Sequence, residues 1–245
     1  MWNRGVEMGD EMLTYSKQWN ISAKYFYDKG YYSWMADKLS GYKNVLEVGC
    51  GTGYSTLALV EKGYKVIAID KNVECLNRAK KLLSEKGYTN GEVAFIEGDI
   101  AENLIRDELV KQFEFDVVIC WNIGTYWDKQ TLQSYIPYMN EYGLTAQQIV
   151  MNPEASYSEL IIWETCRLAK AKGVASHIVD RAAKPINEQN DNYYCDLRDE
   201  FDFHDIVYDS KEADSISNGG IMLTKNGIMS KERKVDVIFT SIMYK

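Results

Sequence analysis

What this chain has little of already narrows its chemistry. Its five cysteines, Cys50, Cys75, Cys120, Cys166 and Cys195, are scattered, and none forms a C-x-x-C pair. An odd, unpatterned set inside apolar segments argues for a reducing compartment and against a structural zinc or other metal site. Histidine is scarcer still, with only His177 and His204. No run of roughly 18 apolar residues occurs, so no membrane span is expected. The first ten residues lack an apolar stretch of signal-peptide length, which makes the cytoplasm the expected location. Basic residues are outnumbered 28 to 36, giving a formal charge of −8. That balance argues against a protein that coats the backbone of a nucleic acid, which needs a basic surface.

Aromatic residues, by contrast, are plentiful: 18 tyrosines and six tryptophans. They crowd residues 2–34, 121–142 and the pair Tyr193-Tyr194. Rings with polar tips suit half-wet surfaces, so some of them are candidates for lining a pocket. From residue 44 onward, short apolar runs alternate with helical patterns, the signature of a parallel sheet covered by helices. Strands are predicted near 44–49, 65–70, 92–97, 115–121 and 174–180, with helices near 54–62, 73–87, 101–112 and 156–172. His177 falls mid-strand and reads as a core residue. Residues 203–208 and 234–244 read as two further strands joined by a glycine-containing segment. The 245 residues fit one domain, 1–245. Two regions stand apart from the sheet: residues 1–43, with a helix near 31–40, and residues 122–155, long for a connection. Such segments commonly carry lids.

The most informative stretch is Asn44-Val-Leu-Glu-Val-Gly-Cys-Gly-Thr-Gly53. An apolar strand runs into glycines at 49, 51 and 53, and a helix follows. Glycines let the backbone approach a ligand, and the helix start offers unpaired N–H groups. Twenty-one residues past Gly49, the next apolar run ends in Asp70, where a carboxylate can hold both ribose hydroxyls. A dinucleotide fingerprint, G-x-G-x-x-G, would need its third glycine at position 54, which is Tyr54. A nicotinamide cofactor is therefore disfavoured. The pattern is E-x-G-x-G-x-G instead, with Glu47 placed to suit a ligand that carries an ammonium group.

These residues resemble the first motif of the class I S-adenosylmethionine-dependent methyltransferases. The resemblance implies an α/β, Rossmann-like doubly wound sheet, mostly parallel, with a C-terminal antiparallel strand at or near one edge. It implies S-adenosylmethionine as cofactor. Glu47 would face the methionine ammonium through water, Gly49, Cys50, Gly51 and Gly53 would form the turn, and Asp70, with Lys71 beside it, would hold the ribose. Val93-Ala-Phe-Ile-Glu-Gly-Asp-Ile100 resembles the third motif, so Asp99 would accept from the adenine amino group and Ile100 would hold the ring. Asp99 as the cap of the next helix is the structural alternative. Phe115-Asp-Val-Val-Ile-Cys120 resembles the fourth motif, which adds Cys120 and Trp121 to the cofactor set. In this family residues 1–43 and 122–155 would cap the substrate pocket.

Trp121-Asn-Ile-Gly-Thr-Tyr-Trp127 matches no particular subfamily. It lacks the Pro-Pro of adenine N6-methylating enzymes, and a metal-binding set as in catechol-type enzymes is not identifiable. Methyl transfer needs an acceptor lone pair held in line in a site without water, and a base only where the acceptor must lose a proton. Candidates for such a role are Tyr126 and Asn122 after the fourth strand, Asp180 and Arg181 after the fifth, and His204. The acidic charge, single domain and aromatic caps favour a small-molecule nitrogen or oxygen acceptor over a macromolecular one. Methylation of protein or RNA, and a cofactor-binding module without catalysis, stay open as alternatives.

Overall fold

The computed structural model describes residues 4–123, 132–217 and 222–245. Its elements are α1 (Arg4–Asp28), α2 (Tyr31–Asp37), β1 (Asn44–Val48), α3 (Tyr54–Glu61), β2 (Lys65–Asp70), α4 (Val73–Glu85), β3 (Val93–Glu97) and α5 (Asn103–Gln112). They continue with β4 (Val117–Trp121), α6 (Leu132–Tyr142), α7 (Ala146–Met151), α8 (Pro153–Lys172), β5 (Ala175–Ala182) and α9 (Tyr193–Glu200). The chain ends in β6 (Ile206–Ile216), a small hairpin of β7 (Met222–Leu223) and β8 (Met229–Ser230), and β9 (Lys234–Tyr244).

Seven strands form one sheet in the order β3-β2-β1-β4-β5-β9-β6. All run parallel except β9, which lies antiparallel between β5 and β6. The chain order reverses between β1 and β4, so the crevice beyond their carboxyl ends is the place where such sheets bind ligands. Side chains alternate across the sheet, as a period of two requires. Leu46, Val48, Val118, Cys120 and Ile178 face α5, α6, α8 and α9. Val45, Val66, Ile119, Trp121 and Val179 face α1 to α4. The fold is thus Rossmann-like and doubly wound, with one antiparallel strand near its C-terminal edge. No helix among the described residues is long and apolar enough to cross a membrane.

Three boundaries differ from expectation. The first is α1, a 25-residue helix where the sequence was read only as a cap. The second is the 122–155 connection, which is not a bare loop but contains α6 and α7. Thr145 starts α7 with a reciprocal cap: its hydroxyl accepts from the Gln148 N–H while the Gln148 side chain accepts from the Thr145 N–H. The third is β6, which starts at Ile206 and runs to Ile216, not 203–208, because the long final strand pairs with it over eleven positions.

A buried ion pair joins two helices of one layer. Arg106 on α5 places Nε 3.0 Å from Glu164 on α8, and its guanidinium also donates to the Ile100 carbonyl and the Asn103 side chain. Glu164 is 1% exposed, with Arg167 as a second cation 3.6 Å away. Removing one partner of such a pair leaves a buried charge uncompensated. Glu164→Ala should therefore cost about 3–5 kcal/mol, read as a lower urea midpoint with an unchanged slope.

Candidate cofactor and substrate site

The β1–α3 turn builds the site's floor. Gly49, Gly51 and Gly53 all have φ between 53° and 86°, a region that side chains other than glycine's rarely adopt. A methyl group on Gly53 would lie 2.7 Å from Ala79, so that glycine lets α4 pack close. A methyl on Gly51 would lie 2.4 Å from the Trp19 indole nitrogen, and one on Gly49 would lie 2.7 Å from Ile123 Cδ1. The turn is pinned from the neighbouring strand. Asp70 accepts from the Gly51 N–H and the Asn72 N–H, each at 2.8 Å, and burial pushes its carboxyl up.

The next strand end supplies a second acidic group. Asp99 accepts from the Ala101 N–H at 2.9 Å through Oδ1. Its Oδ2 accepts from the hydroxyls of Tyr135 and Tyr157, both at 2.7 Å. Lys71 lies 3.6 Å from the same oxygen and 3.5 Å from the centre of the Tyr157 ring. A cleft of about 50 Å³ runs over these groups, lined by Gly49, Gly51, Asp70, Lys71, Asp99, Ile100 and Tyr157, with Tyr15, Trp19 and Ile123 on top. Ligand pockets commonly measure about 300–1,000 Å³. Trp19 and Ile123 therefore fill space that a nucleoside would need.

Beside it opens a cavity of about 910 Å³ that shares Tyr15, Trp19 and Ile123. Its walls come from α1, α8, the end of β5, α9, the end of β6 and the β7–β8 hairpin. Asp180 and Arg181 lie on its lining. The Asp180 carboxylate accepts from the Arg181 N–H at 2.7 Å and is hydrogen-bonded by Tyr194; burial pushes it up. Asn122 ends β4 in the left-handed region, with φ 50°. Its N–H donates to the Val179 carbonyl at 2.7 Å, which sets it beside Asp180 across the strand ends. It is 1% exposed, and neither polar atom of its side chain has a partner among the described residues. Among the described residues no group of side chains is arranged to hold a metal.

A family model described as a methyltransferase domain matches residues 39–218, more than half of the chain and the whole of this turn-and-strand framework. The chain belongs to the class I S-adenosylmethionine-dependent methyltransferases. S-adenosylmethionine is the cofactor of that family. Two relatives are a protein-L-isoaspartate O-methyltransferase from Methanococcus vannielii and a magnesium-protoporphyrin O-methyltransferase from Rhodobacter capsulatus. The first is 28% identical over 49% of this chain and 62% of its own length. The second is 33% identical over 35% of this chain and 34% of its own. Across the curated relatives it matches, the chain spans between 24% and 62% of their length. Among solved structures, the METTL16 methyltransferase domain shares the fold at a TM-score of 0.50 and 14% identity, over 88% of this chain and 80% of that one.

Within this methyltransferase-family chain, the residues singled out from the sequence separate into three groups. Gly49, Gly51, Asp70, Lys71, Asp99 and Ile100 line the small cleft together. Cys50, Gly53, Cys120 and Trp121 lie behind it. Cys50, Cys120 and Trp121 are buried in the two cores, and Trp121 Nε1 donates to His177 Nδ1 at 3.1 Å. Glu47 also faces away from the cleft lining. It is 2% exposed, and its carboxylate accepts from Ser55, and from Thr56 at 2.6 Å, in the first turn of α3. Both oxygens are thus engaged with α3.

His204 is a correction. Its N–H donates to the Lys245 carbonyl, and the adjoining Tyr244 pairs with Ser176 at the amino end of β5. That is the opposite end of the sheet from Asp180, so His204 is not a site residue. Tyr126 lies outside the described residues. Sequence reading missed Tyr135, Tyr157 and Ile123, whereas Tyr15 and Trp19 belong to the aromatic residues of 2–34 singled out as candidate pocket lining. The helix that carries them also had a signal: Met12, Tyr15, Trp19, Ser22 and Phe26 recur at helical spacing.

Burial pushes the Glu47 carboxyl up to about 7, against the opposing hydrogen bonds of Ser55 and Thr56. Unfolded, it titrates near 4.5. The native state then holds a proton that the unfolded chain has lost across this interval. Its contribution to stability is fully present below the unfolded value and is lost as pH rises to the folded one. Urea unfolding between about pH 5 and 7 should show wild type losing more stability than Glu47→Gln, by up to about 1.4 kcal/mol per pH unit. Parallel pH slopes in the two proteins would show that Glu47 does not titrate in this interval.

Proposed function

We propose that this chain transfers a methyl group from S-adenosylmethionine to a nitrogen or oxygen of a small molecule, by direct in-line displacement. The observation that carries this reading is the large aromatic-walled cavity adjoining the glycine cradle across Tyr15, Trp19 and Ile123. A half-open cavity of that size accommodates a small acceptor, and its only basic side chain among the described residues is Arg181. A nucleic-acid groove needs more positive charge.

The cofactor supplies an electrophilic methyl group on sulfur; this chain supplies binding, orientation and exclusion of water. The residues fit that group. The left-handed glycines keep side chains out of the cradle, Asp70 is placed for ribose hydroxyls, and Ile100 with one side of Asp99 is placed for the adenine. Glu47 acts through α3 by fixing the hydroxyls of its first turn. Asp180 at the end of β5 is the carboxylate placed to take a proton from an acceptor that must lose one.

Calorimetry should show binding of S-adenosylmethionine and its demethylated product but not of NAD. The reverse pattern would sink the proposal. Asp70→Ala should weaken binding of the product by about 1.5–3 kcal/mol, the range for hydrogen bonds to a charged group. Equal affinity in that variant would remove Asp70 from the site.

The same reading makes α1 a lid. Its middle covers the cradle through Tyr15 and Trp19, and the cleft beneath has no room for a nucleoside until they move. Hydrogen exchange across residues 10–35 should slow on adding cofactor, because closure over a ligand orders the segment. Exchange that is equally slow with and without ligand, together with lost stability on deleting residues 1–28, would mark α1 as permanent packing instead.

A further inference from the structure

We propose that the larger cavity takes an organic amine in its protonated form, drawn by Asp180 and Glu159 and seated against Trp19 and Tyr193. The inference rests on the methyl-transfer reading only in making this amine the acceptor; the binding site itself is argued from the cavity's own residues.

Charge is the first argument. Among the described residues, the lining carries three carboxylates, Glu154, Glu159 and Asp180, against the single guanidinium of Arg181. Glu159 has neither a hydrogen bond nor an ion pair among the described residues, and burial alone pushes its carboxyl up. Asp180 is desolvated as well, with Tyr194 and one backbone N–H as its hydrogen-bond donors. A desolvated Asp180 with a single guanidinium near it, and a half-buried Glu159 with no ion pair among the described residues, leave the lining short of positive charge and favour a ligand that brings it.

The second argument is the lining's other half. Trp19 and Tyr193 present aromatic surface in the same cavity. Ring faces attract cations, most strongly where water is excluded. A neutral phenol would gain from the rings and could donate one hydrogen bond, but without the attraction of opposite charges, and an acid would be repelled. A protonated amine is thus the ligand that gains from both halves of the lining. Transfer to such a nitrogen needs its lone pair. The ammonium must first give up one proton, its N–H bond breaking as an O–H bond forms on Asp180.

The test compares benzylamine with benzyl alcohol, its neutral counterpart of similar shape, by calorimetry on the full chain with and without S-adenosylhomocysteine. Benzylamine should bind about tenfold more tightly than the alcohol in wild type. That preference should fall to about twofold or less in Asp180→Asn and be reduced in Glu159→Gln, while S-adenosylhomocysteine affinity is kept. Glu159 is half-buried at the cavity wall, so its variant tests the idea even if Asp180→Asn fails to fold. No binding of benzylamine, equal affinities for amine and alcohol, or a preference that survives both substitutions would overturn the assignment. An amine preference without S-adenosylhomocysteine binding would keep this site and remove methyl transfer; the opposite result would remove the site alone.

Discussion

The turn after β1 holds three left-handed glycines within five residues, and the central packing is arranged around the side chains those glycines lack. Gly53 admits Ala79 and so draws α4 against α3. Gly51 turns its N–H to Asp70 and leaves its other side to Trp19, while Gly49 does the same for Ile123. Four separate elements therefore meet at one short turn: α4, the end of β2, α1 and the end of β4. A side chain at any of the three positions would combine an unfavourable backbone angle with a contact of 2.4–2.7 Å. A backbone constraint of a few residues thus fixes how the two halves of the sheet present their carboxyl ends to each other.

The helix over that turn is held unevenly. Toward its C-terminus, Phe26 is fully buried and packs edge-on against Phe239 at 5.3 Å. Its middle is held by single polar contacts: Asn72 donates to the Met12 carbonyl, Arg78 to Ser16, and Ser22 to the Ile216 carbonyl. A hydrogen bond of this kind is worth about 1 kcal/mol net, whereas burying a whole Phe side chain is worth about 1.5–3 kcal/mol. The helix is therefore anchored at the Phe26 end and weakest where Tyr15 and Trp19 cover the cradle. Under the lid proposed above, a pivot about the buried end would open both cavities together, since the same two rings line both.

The sheet core was legible because its strands are short apolar runs closed by glycine or aspartate, and Gly49, Asp70 and Asp99 mark three strand ends directly. The parts that were not legible fail for identifiable reasons. The positions of α1 that face the sheet mix Ser16 and Ser22 with rings, so its stripe is weakly apolar although the spacing is helical. In the 122–155 segment, Pro137 inside α6 hides a helix that tertiary packing restores. The hold on Glu47 was not legible, because nothing in the one-dimensional pattern shows that the hydroxyls of Ser55 and Thr56, in the first turn of α3, fold back onto it. His204 looked like the start of a strand near the site. Only the antiparallel placement of β9 shows that this end of β6 lies at the far edge of the sheet.

Parallel strands bring their carboxyl ends to one side, and here that side collects Glu47, Asp70, Asp99 and Asp180. Burial raises the carboxyls of Glu47 and Asp70, and a neighbouring carboxylate, Asp70 for the first and Asp99 for the second, adds a smaller push. The chain supplies few cations in answer, chiefly Lys71 and Arg181. It uses neutral donors instead. Glu47 receives two hydroxyls, Asp70 two backbone N–H groups, and Asp99 two tyrosine hydroxyls besides Lys71. Donors of this type hold a carboxylate in place without cancelling its charge. The crevice consequently keeps a negative field in a region of low dielectric, where such fields act strongly. A sulfonium ion on one side and an ammonium ion on the other are the ligands that this field favours. Their mutual repulsion in turn favours release of the ammonium proton before the two reacting atoms meet.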